Sequence, residues 1–197
     1  MTSCRVFRSL SRKKTDVLLD VGAHLGALSL LVAPRVRKVY ALEPSKNTYA
    51  LLRLNTLLNF AVNISAERLA LSDKDGSCKL FHAPEGESWG DSIVFDHSRL
   101  SEDVPCMSLS SFLDEKRITK IDFAKFNCEG AEFPILLSCD GRALSRIGKM
   151  LVLYHCDLMP GASEKALVSH LEEFGFKTKI RNRSKDRGWI IAYPWLD

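Results

Sequence analysis

The sequence predicts a doubly wound α/β fold on a parallel sheet, and three observations predict it. Apolar runs of strand length alternate with longer helical patterns, as in successive βαβ units. The first run, Val17 to Val21, is too uniformly apolar for a sheet with one wet face. The chain has 197 residues, 46% hydrophobic and 26% charged, which suits one soluble domain with one sizeable core.

The elements follow in order. Gly26 to Ala33 opens the first helix, and Pro34 is expected to stop it. "KVYALEP" (Lys38 to Pro44) is the second strand, and Ser45 is placed to cap the helix "KNTYALLRLNTLLNF". There Ala50, Leu54, Leu57 and Leu58 follow an i, i+4, i+7, i+8 pattern, so one face of that helix is apolar. A third strand is expected near Ile64 to Leu71, then a turn at Asp75-Gly76 and a short extra strand. Pro84 to Arg99 is the least regular stretch and reads as a long functional loop, with Trp89 and Ser92 as candidate walls of an acceptor pocket. Ser108 to Lys116 reads as a short helix, Ile121 to Asn127 as the fourth strand and Lys149 to His155 as the fifth. Ser163 to Phe174 is a helix ended by Gly175, and Phe176 to Ile180 with Gly188 to Pro194 reads as a hairpin at the sheet edge. No repeat or linker divides the chain, so residues 1–197 read as one domain. Residues 1–14 form a basic lead-in with the composition of a disordered segment, a reading preferred over an organelle transit peptide.

The bend after the first strand carries the chemistry. A strand, a Gly-bearing bend, a helix and an acid at the end of the next strand make a nucleotide-binding βαβ unit. Glycines admit close approach of a ligand, and a helix start presents free N–H groups. Glu43 lies 21 residues after Gly22, where a carboxylate accepts hydrogen bonds from both ribose hydroxyls. A dinucleotide fingerprint would read G-x-G-x-x-G, but this bend reads Asp20-Val21-Gly22-Ala23-His24-Leu25-Gly26. A carboxylate about 5 Å from a pyrophosphate costs on the order of 3 kcal/mol at an effective dielectric near 20. A cationic nucleoside without phosphate escapes that cost, and S-adenosyl-L-methionine (AdoMet) is one.

Four segments now converge. "DVGAHLG", "VYALEPSKNTYALLRLNTLLN", "LALSDKDG" and "KFNCEGAEFPIL" stand in the order and spacing of the FkbM-type AdoMet-dependent methyltransferases, which the chain resembles from about Asp16 to Ser138. The resemblance implies a class I methyltransferase fold, a mostly parallel seven-stranded sheet with an antiparallel last strand. It implies an O-methyltransferase acting on a sugar or natural-product hydroxyl. Asp20, Gly22 and Gly26, with Ala23 and His24 in the same bend, would bind the cofactor. Glu43 would hold the ribose, and Ser72 and Asp73 would lie on the adenine side. Lys125, Glu129, Gly130 and Glu132 match the family's "K-x-D-x-E-G-x-E" signature.

The chain departs from that pattern at Asn127, where the family has Asp, at His24, where it commonly has Asn, and at Leu153, which replaces an acid. Neutral Asn127 accepts no proton at pH 7, so it is assigned to orienting substrate or the methionine moiety, and no metal site is expected. Glu129, Glu132 and His155 are the candidate catalytic residues, with Glu129 the favoured base.

Six cysteines lie far apart with no C-x-x-C pair, a usage that fits a reducing cytoplasm. No window matches the roughly 18 uncharged apolar residues of a membrane helix. The net charge of +4 is concentrated in "KTKIRNRSKDR" (Lys177 to Arg187), a solvated turn or an RNA-facing patch. That run motivates an RNA methyltransferase as one rival, although nucleic acid is disfavoured because no aromatics are interleaved with it. A non-catalytic AdoMet-binding protein is the second rival, and a dehydrogenase ranks last.

Overall fold

A computed structural model describes residues 14–84, 90–96 and 100–195. Strands β1 (Val17–Val21), β2 (Lys38–Leu42) and β3 (Ile64–Glu67) run parallel and are joined by helices α1 (Ala27–Val32) and α2 (Lys46–Leu58). Residues 70–108 then build a small second sheet from β4 (Ala70–Ser72), β5 (Gly76–Phe81) and β6 (Ser101–Ser108). After α3 (Leu109–Glu115) the chain returns to the main sheet as β7 (Ile121–Phe126). It continues through α4 (Glu132–Leu137), α5 (Gly141–Leu144), β8 (Ile147–His155), α6 (Glu164–Glu173), β9 (Phe176–Arg181) and β10 (Arg187–Pro194).

The main sheet has seven strands in the order β3-β2-β1-β7-β8-β10-β9, with β10 antiparallel to both neighbours. The fold class therefore stands as the sequence predicts. β1 is the switch point: the chain winds outward through β2 and β3, then restarts on its other side at β7. Ligands of such sheets lie at the carboxyl ends of the strands flanking that point. One large core packs β1, β7 and β8 against α3, α4 and α6, and a smaller one lies beneath α1 and α2. No helix of the described residues is long and apolar enough to cross a membrane.

Four local expectations change. Pro34 does not end the first helix abruptly; it sits in the first turn of a 3-10 extension, Ala33–Arg35, where its missing N–H is harmless. The expected third strand divides at Arg68-Leu69, its halves entering different sheets. β6, whose acids and Pro105 disguised it, is the middle strand of the small sheet. The apolar face of α2 is not the face it buries. The helix buries Thr48 and Leu52, whereas Leu54, Leu57 and Leu58 are 48%, 73% and 65% exposed. Small residues explain this: α2 rests on Ala41, Ala61 and Ala66, where Leu52 fills the gap, and periodicity alone does not say on which side the sheet lies.

Candidate active site

The β1–α1 bend is built around two glycines in left-handed backbone. Gly22 has φ +71°, and a Cβ there would lie 2.0 Å from the Asn127 carbonyl oxygen. Gly26 has φ +85°, and a Cβ would meet Leu52 at 2.5 Å. The bend is thus pressed against the exit of β7 on one side and α2 on the other. His24 between them is also left-handed, at φ +52°, a conformation that costs a non-glycine residue energy and marks a constrained site.

Below the bend lies a sealed ion pair. Asp20 is fully buried; its Oδ2 accepts from Ser29 Oγ at 2.7 Å, and Lys125 Nζ stands 3.0 Å from its Oδ1. Lys125 also donates to the carbonyls of Gly22 at 2.7 Å and Val21 at 3.2 Å. Asp20 does not line the cavity above. Its charge is compensated by a lysine, so the charge argument built on it does not hold.

The cavity, about 210 Å³, opens at the carboxyl ends of β1, β2 and β7. Three carboxylates face it. Glu43 accepts from the backbone N–H of His24 at 2.9 Å and of Ser45 at 3.0 Å. Burial pushes its carboxyl up to about 7 despite those bonds, and nearby Asp91 adds to the rise. Asp91 is held by the Ala83 N–H at 2.9 Å and by His82 Nδ1 at 3.0 Å. Glu129 follows β7 with φ +47°, and burial raises its carboxyl above the ordinary value while the His155 imidazole and Arg187 draw it back. Leu69, Ala70, Leu71, Leu80 and Ile93 form an apolar wall opposite. Among the described residues, buried Asn127 Oδ1 has no hydrogen-bond partner, and Asn127 lines the cavity. Cys128 lines it too, but burial and Glu132 hold its thiol well above the ordinary value, so it serves as wall.

Behind Glu129 the candidate catalytic residues form a chain. Glu132 is fully buried; its Oε1 takes the His155 backbone N–H at 2.7 Å and lies 2.9 Å from His155 Nδ1, while its Oε2 takes the Gly130 N–H at 3.1 Å. The other imidazole nitrogen, Nε2, stands 3.5 Å from Glu129 Oε2. Arg187, bidentate to Asp157, closes the outer side 4.0 Å from Glu129.

The predicted residues therefore separate into three groups. Gly22, His24, Glu43, Asn127 and Glu129 line the cavity. Asp20, Ala23, Gly26, Glu132 and His155 stand behind that lining. Ser72, whose hydroxyl donates to Asp73 at 3.0 Å, and Asp73 lie aside; Leu69 to Leu71 take the wall position instead. Trp89 lies outside the described residues. Ser92 is buried, and its hydroxyl donates to the Glu129 carbonyl at 2.7 Å, so it fixes Glu129. Asp91 is the acid that sequence reasoning missed, because nothing local shows that the loop folds back beside β5 through the Phe81–Ser92 pairing.

The profile of the Methyltransferase FkbM domain matches residues 20–178. Among curated proteins, AMB antimetabolite synthetase AmbE of Pseudomonas aeruginosa is 26% identical over 84% of this chain, which spans only 10% of that protein. Among solved structures, methyltransferase FkbM of Methylobacillus flagellatus aligns with TM-score 0.61 and 16% identity over 95% of this chain and 46% of its own. A Streptococcus mutans protein solved in complex with SAH aligns with TM-score 0.59 and 11% identity over 98% and 96%. An rRNA methylase of Streptococcus thermophilus aligns equally well, with TM-score 0.59 and 11% identity over 99% and 95%.

Proposed function

Because the chain belongs to the FkbM methyltransferase family, we propose that it uses AdoMet to methylate a hydroxyl of a small molecule or sugar. The observation that carries this reading is the cavity of three carboxylates beside an unpartnered Asn127 oxygen at the switch point. That donor set fits AdoMet: acceptors for ribose hydroxyls and for an ammonium, an apolar wall for a purine, and negative potential for a sulfonium. The cavity's own carboxylates, not Asp20, disfavour a phosphorylated nucleotide by like-charge repulsion. In this reading Glu43 takes the ribose and Asn127 the ammonium, while Gly22 and His24 shape the floor. Asp20, Ala23 and Gly26 hold the bend, and Ser72 and Asp73 stand outside the lining.

When bound, AdoMet supplies an electrophilic methyl group; the chain has to orient the acceptor and take its proton. Glu129 is the proposed base, because it faces the cavity and burial raises its carboxyl above the ordinary value. His155 and Glu132 position it: Glu132 fixes the imidazole through Nδ1, leaving Nε2 toward Glu129 to share the proton taken up. We infer a reducing, cytoplasmic location from the cysteine usage. Titration calorimetry tests the cofactor assignment: micromolar-range AdoMet binding is expected, and folded protein that binds none would end this reading.

An RNA acceptor is the second reading, favoured by one observation. Arg187 pairs with His155 in the sheet register, so the exposed basic β9–β10 turn stands at the same end as Glu129. RNA binding that weakens steeply with salt would favour it.

A further inference from the structure

We propose that the groove between α2 and β3 is a docking surface for an acidic, leucine-bearing segment of a partner protein. Of the twelve large hydrophobic side chains left most exposed among the described residues, six fall between Leu51 and Val62. Phe60 and Val62 are 87% and 94% exposed, and Leu57 is 73% exposed. A concentration of this kind, unlike scattered apolar side chains, marks an interaction site. The patch is concave: Leu54, Leu57, Phe60 and Val62 line one groove of about 990 Å³ with Ile64 of β3. A concave floor suits a ridge of inserted side chains rather than a flat lipid surface.

Charge identifies the occupant. Residues 45–66 contain Lys46 and Arg53 and no Asp or Glu, and both cations line the groove. Arg68, the third cation of the wall, is already paired with Glu102 at 2.7 Å. A second copy of the chain would set the same cations near one another, whereas a segment bearing Glu or Asp beside its apolar anchors would complement them. The two edges of the main sheet support the assignment. β9 guards its edge with Lys177, Lys179 and Arg181 at alternate positions, a device against unwanted pairing. β3, reading Ile64-Ser65-Ala66-Glu67, carries no such guard on the side where the groove opens.

The test is fluorescence anisotropy with a labelled 15-residue peptide carrying Leu on one helical face and Glu elsewhere, beside the same peptide with Lys for Glu. The Glu peptide is expected to bind the wild-type chain and the Lys peptide not to. Leu57→Asp or Phe60→Ser should weaken binding about tenfold or more, and Arg53→Glu should reverse the preference between peptides. These side chains are solvent-exposed, so thermal melts and AdoMet binding should stay unchanged, which keeps this result separate from the cofactor reading. Failure of the Glu peptide to bind, equal binding of the Lys peptide, or indifference to Leu57→Asp would overturn the proposal. So would a dimer in sedimentation that Leu57→Asp abolishes, or co-sedimentation with phosphatidylserine vesicles, since either assigns the face to another occupant.

Discussion

Asp20 lies one residue inside the end of β1 and Glu43 one residue past the end of its parallel neighbour β2, and their fates are opposite. Asp20, on β1, is sealed beneath the bend with Lys125 and Ser29, its charge spent on holding the chain together. Glu43, just past β2, has only two backbone N–H groups on its carboxylate and faces the cavity, where burial lifts it to about 7. Two carboxylates at the same end of the sheet thus divide the work: one shapes the bend, the other meets the ligand. Asp20 lies opposite Ala41, two residues deeper in the sheet than Glu43, and there the lysine arriving from β7 seals it.

The sharpest way to break that contrast is to remove Lys125. Lys125→Met leaves Asp20 buried without its cation, and urea denaturation should show a loss of about 3–5 kcal/mol. Adding Asp20→Asn to that variant should recover much of the loss. If Lys125→Met instead leaves stability intact and abolishes AdoMet binding, Asp20 belongs to the ligand after all. Next in size comes the chemistry. Glu129→Gln should lower kcat on a true acceptor about 10²–10⁴-fold with AdoMet affinity little changed, as befits general-base catalysis. Full turnover by that variant would remove Glu129 as the base. Glu43→Gln should weaken AdoMet by about 1.5–3 kcal/mol, the worth of hydrogen bonds to a charged acceptor. Because it replaces a desolvated carboxylate, the same change should disturb unfolding far less than Lys125→Met does. Equal destabilisation by both would erase the difference between the two acids.

The smallest effect is on pH. Glu43 titrates higher in the folded chain than in the unfolded one, so the folded state holds its proton more tightly. Its contribution to ligand-free stability is therefore fully present below the unfolded value, near 4.5, and is lost as pH rises through about 7. Ligand binding should move the other way, because the ionised carboxylate is the better acceptor.

Much of this architecture was legible in the residues. The strands β1, β2, β7 and β8 are largely apolar runs, mostly buried, and Gly22 and Gly26 mark a bend with left-handed backbone, where Gly22 presses on the Asn127 carbonyl. Long-range pairing was not legible. The Lys125 ammonium that neutralises Asp20 lies 105 residues along the chain, so a local reading sees only an acid at a strand tip. The contact of Glu132 with His155 spans 23 residues, still beyond any local pattern, so each residue reads singly as a candidate. Asp91 sits in a stretch without periodicity, and the pairing of Ser92 with Phe81, with bonds from Ala83 and His82, brings it to the cavity. The outward turn of α2 was hidden for a different reason: leucine spacing reports a stripe but not which neighbour it faces.

The most direct test is titration calorimetry of AdoMet against the wild-type chain and Glu43→Gln at pH 6 and pH 8. The account predicts that the wild type binds more tightly at pH 8 than at pH 6, while Glu43→Gln binds weakly and equally at both. Folded protein that gives no heat with AdoMet, or a variant that matches the wild type at pH 8, would contradict it.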